Sequence, residues 1–315
     1  MKKWIKYVIR CLQWLWRNTK VIIGKQNEEK RMQYDLVKRS HSLEKGFCLK
    51  NVKDGFGIEK VKEILHELKK YIDKNYDISA DGFQICIGIL KYYFDKWKEL
   101  KNTSIIELQQ EYEKLMLDNN IILNPKYYGG VEERQKEVNQ TEQFENLKII
   151  LEKRDSVRNF AKGKIDICKI EEAIELAQTA PSACNRQPAR VYIVEKEQYS
   201  LIKKWVQGVG GFQEDVDKWL VVTSDEAAFD EGELGQYIVS GSIFAGYLAL
   251  ILRTMGFATC MVQRNILHTP RYVRNALGMS ESEQSICVIA VGNMQEQYVV
   301  PKACRYSYTN IVKKV

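Results

Sequence analysis

Ala180-Pro181-Ser182-Ala183-Cys184-Asn185-Arg186-Gln187-Pro188 is the stretch on which the reading of this chain turns. Pro181 and Pro188 fix φ at both ends, so the segment reads as a stiff loop rather than the continuation of a helix or strand. Apolar residues recur at helical spacing over Ile167–Thr179 before it, and Val191–Val194 after it is a short apolar run of strand type. A rigid loop between two packed elements leaves Ser182, Asn185 and Gln187 as its polar groups, and a carboxamide offers donor and acceptor on one short side chain. In purely local terms, the same side chains satisfy the backbone of an ordinary loop.

Outward from the loop, strand-like runs Leu220–Thr223 and Ile286–Val291 alternate with helical stretches Glu233–Met255 and Pro270–Leu277, the pattern of a layered α/β or α+β domain. Leu234–Leu252 is 19 residues without a formal charge and long enough to cross a bilayer. Gln236, Ser240, Gly241, Ser242 and Gly246 dilute it, and small residues on one helix favour close packing in a soluble core. Residues 26–150 differ: Ile58–Ile72, Phe83–Trp97 and Ser104–Leu117 are helical, the last opened by a Ser104/Glu107 capping box and stopped before Asn124-Pro125. No strand pattern stands there. His41 and Glu44 share a helix face at i, i+3, a geometry that also suits a metal, and Gly46 follows where it can end the helix; a structural cap is the simpler reading.

The net charge of +7 has a single address. Lys2, Lys3, Lys6, Arg10, Arg17, Lys20 and Lys25 face no acid within residues 1–25, so the remaining 41 basic residues balance the 41 acidic ones. Nucleic-acid binding is disfavoured, since no basic patch lies outside this terminus. The basic residues recur at spacings of three and four, with Trp4, Val8, Cys11, Leu12, Leu15 and Ile22 on the other side of a 3.6-residue period. Such a basic amphipathic helix suits an anionic lipid surface, which attracts each nearby Lys or Arg by about 1 kcal/mol. It equally suits packing on the protein itself or across a dimer. Eight cysteines without a C-x-x-C pair and three histidines, His41, His66 and His268, offer no zinc cluster and no Ser-His-Asp arrangement. Reduced thiols in a cytoplasm are the expectation.

Ahead of the loop, Arg154-Asp155-Ser156-Val157-Arg158 carries two guanidiniums and a hydroxyl that can hold a phosphate by charge-assisted hydrogen bonds. Arg154-x-Ser156-x-Arg158 followed by Ala-Pro-Ser-x-x-Asn-x-Gln-Pro resembles the nitroreductase family of FMN enzymes. The likeness continues through Gly256-Phe257-Ala258-Thr259-Cys260, the run Ile286–Val291 with Gly292-Asn293, and the basic pair Lys302 and Arg305. It spans residues 151–315 and implies an α+β fold, a mixed sheet flanked by helices, after an all-helical N-terminal region made of a basic helix (1–25) and an extension of unknown role (26–150).

What the resemblance implies can be stated residue by residue. Arg154, Ser156, Lys302 and Arg305 would hold the FMN phosphate and ribityl chain. Arg158 would stand near flavin N1 and O2, favouring the anionic reduced ring. Pro181, Ser182 and Asn185 would meet the ring and its carbonyl edge, Gln187 would brace the loop, and Cys260 and Met261 would lie near the ring. No protein nucleophile or metal is implied: hydride from NADH or NADPH would reach flavin N5 and leave for an unidentified acceptor, in ping-pong order. Family members are homodimers with FMN in the interface. The extension is similar to those on long nitroreductase-like proteins of cell-surface polysaccharide synthesis, which suits a cytoplasmic protein peripheral on the inner membrane face. A flavin-binding protein that does not reduce, and a cofactor-less scaffold of envelope biosynthesis, are the alternatives. The chain departs from the family at Asp155, where a basic residue is frequent, at Ala189, where a large aromatic is common, and at Met261-Val262-Gln263-Arg264, which lacks the usual Trp and Gly.

Overall fold

A computed structural model of the chain describes residues 2–23, 27–136, 138–262 and 269–314. Gln263, Arg264 and His268 lie outside the described residues. The middle of the C-terminal body is β5 (Glu283–Met294), a twelve-residue strand paired with β3 (Lys218–Asp225) on one edge and β4 (Phe257–Val262) on the other. Beyond β3 lies β2 (Ala189–Glu195), and the two-residue β1 (Phe160–Ala161) joins β5 at Met294 and Asn293. The α+β class is as expected. The pairing is not: every described pair is antiparallel, where a mixed sheet was implied. Runs of apolar residues mark buried strands but carry no information on direction.

Every residue of β3 is buried, and its alternation feeds two cores. Trp219 and Val221 face a layer built on the segment after β2, where Tyr199 stacks on Trp219 at 4.6 Å between ring centroids. Leu220 and Val222 face the other layer, made by α7 (Ile167–Ala177) and α8 (Gln236–Thr254). This alternation sends successive side chains to opposite faces. α9 (Arg271–Leu277) contributes Val273 to the Trp219 layer. Helix α8 is the one helix, among the described residues, long and apolar enough to cross a membrane. It covers the sheet instead, with Gly241 against Ile286 and Ser224, while Val239, Ile243 and Tyr247 remain exposed on its outer side.

The extension supplies α1 (Lys2–Ile22), α2 (Glu28–Phe47), α3 (Ile58–Asp73), α4 (Asp81–Trp97), α5 (Thr103–Asp118) and α6 (Gln140–Lys153), with α2 to α5 enclosing a third core around Leu43, Leu65, Phe83, Ile87 and Phe94. Helix α5 begins two residues earlier than the Ser104/Glu107 capping box requires, because Asn102 is the N-cap and its Oδ1 takes the Ile105 amide at 3.3 Å. Gly46 does not end α2; a Cβ there would lie 2.0 Å from the Phe56 ring, so the glycine lets that ring seat against the helix. His41 Nδ1 meets Glu44 Oε2 at 2.8 Å, and Glu44 Oε1 takes the Gly130 amide at 2.9 Å, so the pair ties α2 to a turn. No group of three metal-ligating side chains occurs among the described residues.

Helix α1 departs most from expectation. Its body-facing side keeps Cys11 of the expected apolar set but adds Trp14, Asn18 and Val21, while Trp4, Leu12 and Leu15 of that set are exposed. Trp14 Nε1 donates to Tyr237 Oη at 3.3 Å, and the Arg17 guanidinium reaches Gln284 Oε1 and the Glu281 and Glu283 carbonyls. A polar seat of this kind draws on a residue the amphipathic pattern had assigned to solvent.

Gly88 gives the clearest test of this packing. A Cβ there would stand 1.8 Å from the Tyr127 carbonyl oxygen, which is backbone and cannot rotate away. Gly88→Ala is expected to destabilise the helical extension by about 1–3 kcal/mol, read as a lower midpoint in urea denaturation. An unchanged midpoint would show that α4 and the 125–128 turn do not touch.

Candidate functional site

The Ala180–Pro188 loop carries an unusual backbone. Cys184, Asn185 and Gln187 all have positive φ, at 51°, 54° and 48°. Asparagine tolerates this region, but Cys and Gln are disfavoured there, and strain of this kind persists only where surroundings over-determine it. The Ser182 hydroxyl accepts from the Gln187 amide at 3.0 Å, and the Ser182 carbonyl accepts from the Asn185 amide at 3.0 Å. Gln187 Nε2 donates to the Asn185 carbonyl and to Asn185 Oδ1, each at 3.3 Å.

The strongest restraint comes from Arg186, which sequence reasoning passed over as an unspecified motif position. Its side chain is turned inward and is 1% exposed. The guanidinium forms a bidentate pair with Glu233, at 2.7 and 2.6 Å, donates to the Ala228 and Ala183 carbonyls, and lies 4.5 Å over the Phe229 ring. That ion pair holds the Glu233 carboxyl well below the usual range, at about 2. In the sequence this arginine shows only as an interruption in a polar motif, because its partner, in the segment between β3 and α8, lies 47 residues away.

The loop borders a cleft of about 720 Å³ whose far wall belongs to the N-terminal extension. Pro181, Ser182, Asn185 and Gln187 line one side. Lys30, Tyr34, Lys126 and Tyr127 line the other, and Ser240 and Phe244 of α8 form part of the floor. Tyr34 is the hinge between the halves: its hydroxyl donates to Asp225 Oδ2 at 3.1 Å and accepts from the Arg190 guanidinium at 3.0 Å, while burial first and Asp225 second push its pKa far up. Lys45 Nζ stands 4.0 Å from Cys184 Sγ. None of these extension residues was legible as part of a site from the sequence, because helical periodicity assigns them only to a solvated or packed face.

The remaining predicted residues do not reach this cleft within one copy of the chain. Arg154, Ser156 and Arg158 follow α6 directly, and the buried Val157 between them donates its amide to the Thr259 carbonyl at 2.9 Å, which lays the segment along β4. Both arginines act on the Cys260 thiol, whose pKa burial raises. Cys260 itself is core, whereas Met261 points out and is exposed. Lys302 and Arg305 lie on the exposed segment after β5, where Arg305 donates to the Ala303 carbonyl. Two candidate half-sites therefore stand apart within one copy, a basic segment beside β4 and a carboxamide-bearing loop over the cleft.

No curated protein matches the chain. Solved structures that it resembles include a nitroreductase in complex with FMN from Desulfovibrio desulfuricans, at 14% identity, covering 57% of this chain and 98% of that one with a TM-score of 0.47. A nitroreductase-like protein from Streptococcus mutans is 19% identical, covering 55% and 99%, with a TM-score of 0.46. A nitroreductase family protein from Clostridium difficile is 22% identical, covering 52% and 95%, with a TM-score of 0.44. The family model that matches is the nitroreductase family, and the stretch it matches, residues 151–225, holds Arg154, Ser156, Arg158 and the whole of the Ala180–Pro188 loop.

Proposed function

We propose that the chain is an FMN-dependent oxidoreductase of the nitroreductase type that takes hydride from NADH or NADPH and passes it, in ping-pong order, to a separate acceptor. The observation that carries this reading is the Ala180–Pro188 loop, pinned from beneath by Arg186 and presenting Ser182, Asn185 and Gln187 at the mouth of a cleft of about 720 Å³. That volume lies within the range of small-molecule sites. The match of residues 151–225 to the nitroreductase family supports it independently of the geometry.

The residues present fit the cofactor. Arg154, Ser156 and Arg158 offer bidentate and hydroxyl donors suited to a phosphate dianion and a polyol chain. Asn185 and Gln187 offer carboxamides, and the loop's exposed backbone offers further polar groups, to match the donor and acceptor edge of a flavin pyrimidine ring. Bound FMN supplies reversible hydride acceptance at N5. The chain's own part is to orient the ring, to place the Arg158 cation beside its pyrimidine edge and so stabilise negative charge there, and to roof the cleft with Tyr34 and Tyr127 of the extension. Free cysteines throughout and the absence of any expected disulfide pattern fit the cytoplasm. The likeness of the extension to those of long nitroreductase-like proteins extends the proposal to an acceptor used in cell-surface polysaccharide synthesis.

The separation of the half-sites favours a homodimer in which the basic segment of one copy meets the loop of the other. Val239, Ile243 and Tyr247 on α8, together with Phe144 and Leu147 on α6, provide exposed apolar surface, and the segment carrying Lys302 and Arg305 is exposed along its length.

Three outcomes are expected. Purified protein should be yellow with bound FMN and be bleached by NADH or NADPH without oxygen; a colourless protein that takes up no added FMN would overturn the proposal, and one that stays yellow would be a binder that does not reduce. Arg154→Ala and Asn185→Ala should each abolish FMN binding, and subunit exchange between the two should restore it, because each mixed dimer holds one intact site; failure to restore would place both half-sites in one copy. Glu233→Gln should weaken FMN binding at neutral pH by leaving Arg186 buried without its charge partner. In the unsubstituted protein the Glu233 contribution is fully present above the ordinary carboxyl value of 4.5 and is lost as pH falls through about 2. Equal FMN affinity in Glu233→Gln and the parent would remove Arg186 from the account.

A further inference from the structure

The function proposed above makes no use of α1, whose structure is divided along its length. Trp14, Arg17, Asn18 and Val21 seat its second half on the body, while residues 4 to 10 are exposed except for the half-buried Val8. Seen around the axis, the seated side is opposed by Ile5, Ile9, Leu12 and Trp16, at spacings of four, three and four. All four are exposed, Trp16 at 68%. Lys6 and Lys20 border this stripe, and Lys20 Nζ lies 5.7 Å over the Trp16 ring. The stripe is thus a second apolar face, distinct from the one that packs on the protein.

We propose that α1 docks the protein on an anionic lipid surface, with Ile5, Ile9, Leu12 and Trp16 entering the headgroup boundary and Lys6 and Lys20 meeting the lipid phosphates. Charge selects this occupant. The whole net charge of the chain lies in residues 1–25, which contain no acid. A second copy of α1 laid on the first would bring cations onto cations, whereas an anionic bilayer complements both the apolar stripe and its basic border. The aromatic ring of Trp16, half apolar and half polar in character, suits the boundary better than the interior. The seat made by Trp14 and Arg17 keeps α1 folded and oriented before lipid is met.

The test is co-sedimentation of the full chain with vesicles of phosphatidylcholine alone or with added phosphatidylglycerol. The protein is expected to pellet with the mixed vesicles and to remain in solution with the neutral ones, and added salt should release it. Combined Ile9→Ser, Leu12→Ser and Trp16→Ser should lower the bound fraction about tenfold or more with an unchanged thermal midpoint, since these side chains are exposed and belong to none of the cores. As a check that needs no multiple variant, brominated lipid should quench tryptophan fluorescence in the parent and do so less in Trp16→Phe. The proposal is overturned if the parent stays in solution with phosphatidylglycerol vesicles, if the triple variant pellets as the parent does, or if that variant splits a larger assembly in lipid-free buffer. Each readout is independent of bound FMN, so its failure leaves the redox assignment standing.

Discussion

A single buried guanidinium holds in shape the loop on which the candidate site depends. Arg186 stands between the two carboxamides of the loop, yet its side chain runs the opposite way, into the body, where Glu233, two carbonyls and the Phe229 ring receive it. Removing one partner from such a pair typically costs 3–5 kcal/mol, because the remaining charge is left buried. That restraint acts against the strain of Cys184, Asn185 and Gln187 in left-handed conformation, about 1–3 kcal/mol for each such residue. The outward direction of Asn185 and Gln187 is thus a consequence of the inward direction of Arg186.

The same constraint links the two halves of the chain. Arg190, two residues past the loop, donates to Tyr34 of α2, and Tyr34 donates in turn to Asp225 at the end of β3. Lys38 of α2 pairs with Asp230, in the loop that also carries Glu233. Loop, extension and the entrance to α8 therefore form one connected polar seam, in which each member is satisfied only while the others stay in place. The extension is joined to the site by hydrogen bonds at buried positions and not by a tether alone.

What the sequence made legible, and what it hid, follows from how far apart the relevant residues lie. The loop, the Arg154–Arg158 segment and the strands could be read because their signals are contiguous: turn residues, clustered donors and short apolar runs. Strand ends moved by two or three residues, as with Ile286–Val291 inside the observed Glu283–Met294. Strand direction could not be read, since apolar runs are symmetrical under reversal. Arg186 escaped because its partner is remote, and Tyr34 because a buried tyrosine at a helical period looks like any core residue. The wheel of α1 misled more instructively: Trp14 and Arg17 break the amphipathic division by packing inward, a choice made by Tyr237 and Gln284 and invisible locally.

The division of the basic residues from the loop also has a physical logic. Arg154 and Arg158 are held beside β4 by the amide of Val157, so their backbone is fixed by the sheet, whereas the loop is fixed by Arg186 and covered by α2. Each half is tied by its own buried contacts, the Val157 amide to Thr259 and the Arg186 guanidinium to Glu233 and Ala228. Lys30 and Lys126 of the extension line the same cleft as the loop, which puts two cations on its far wall. The extension thus forms one wall of the cleft and the loop the other, while the sheet holds the basic segment apart from both.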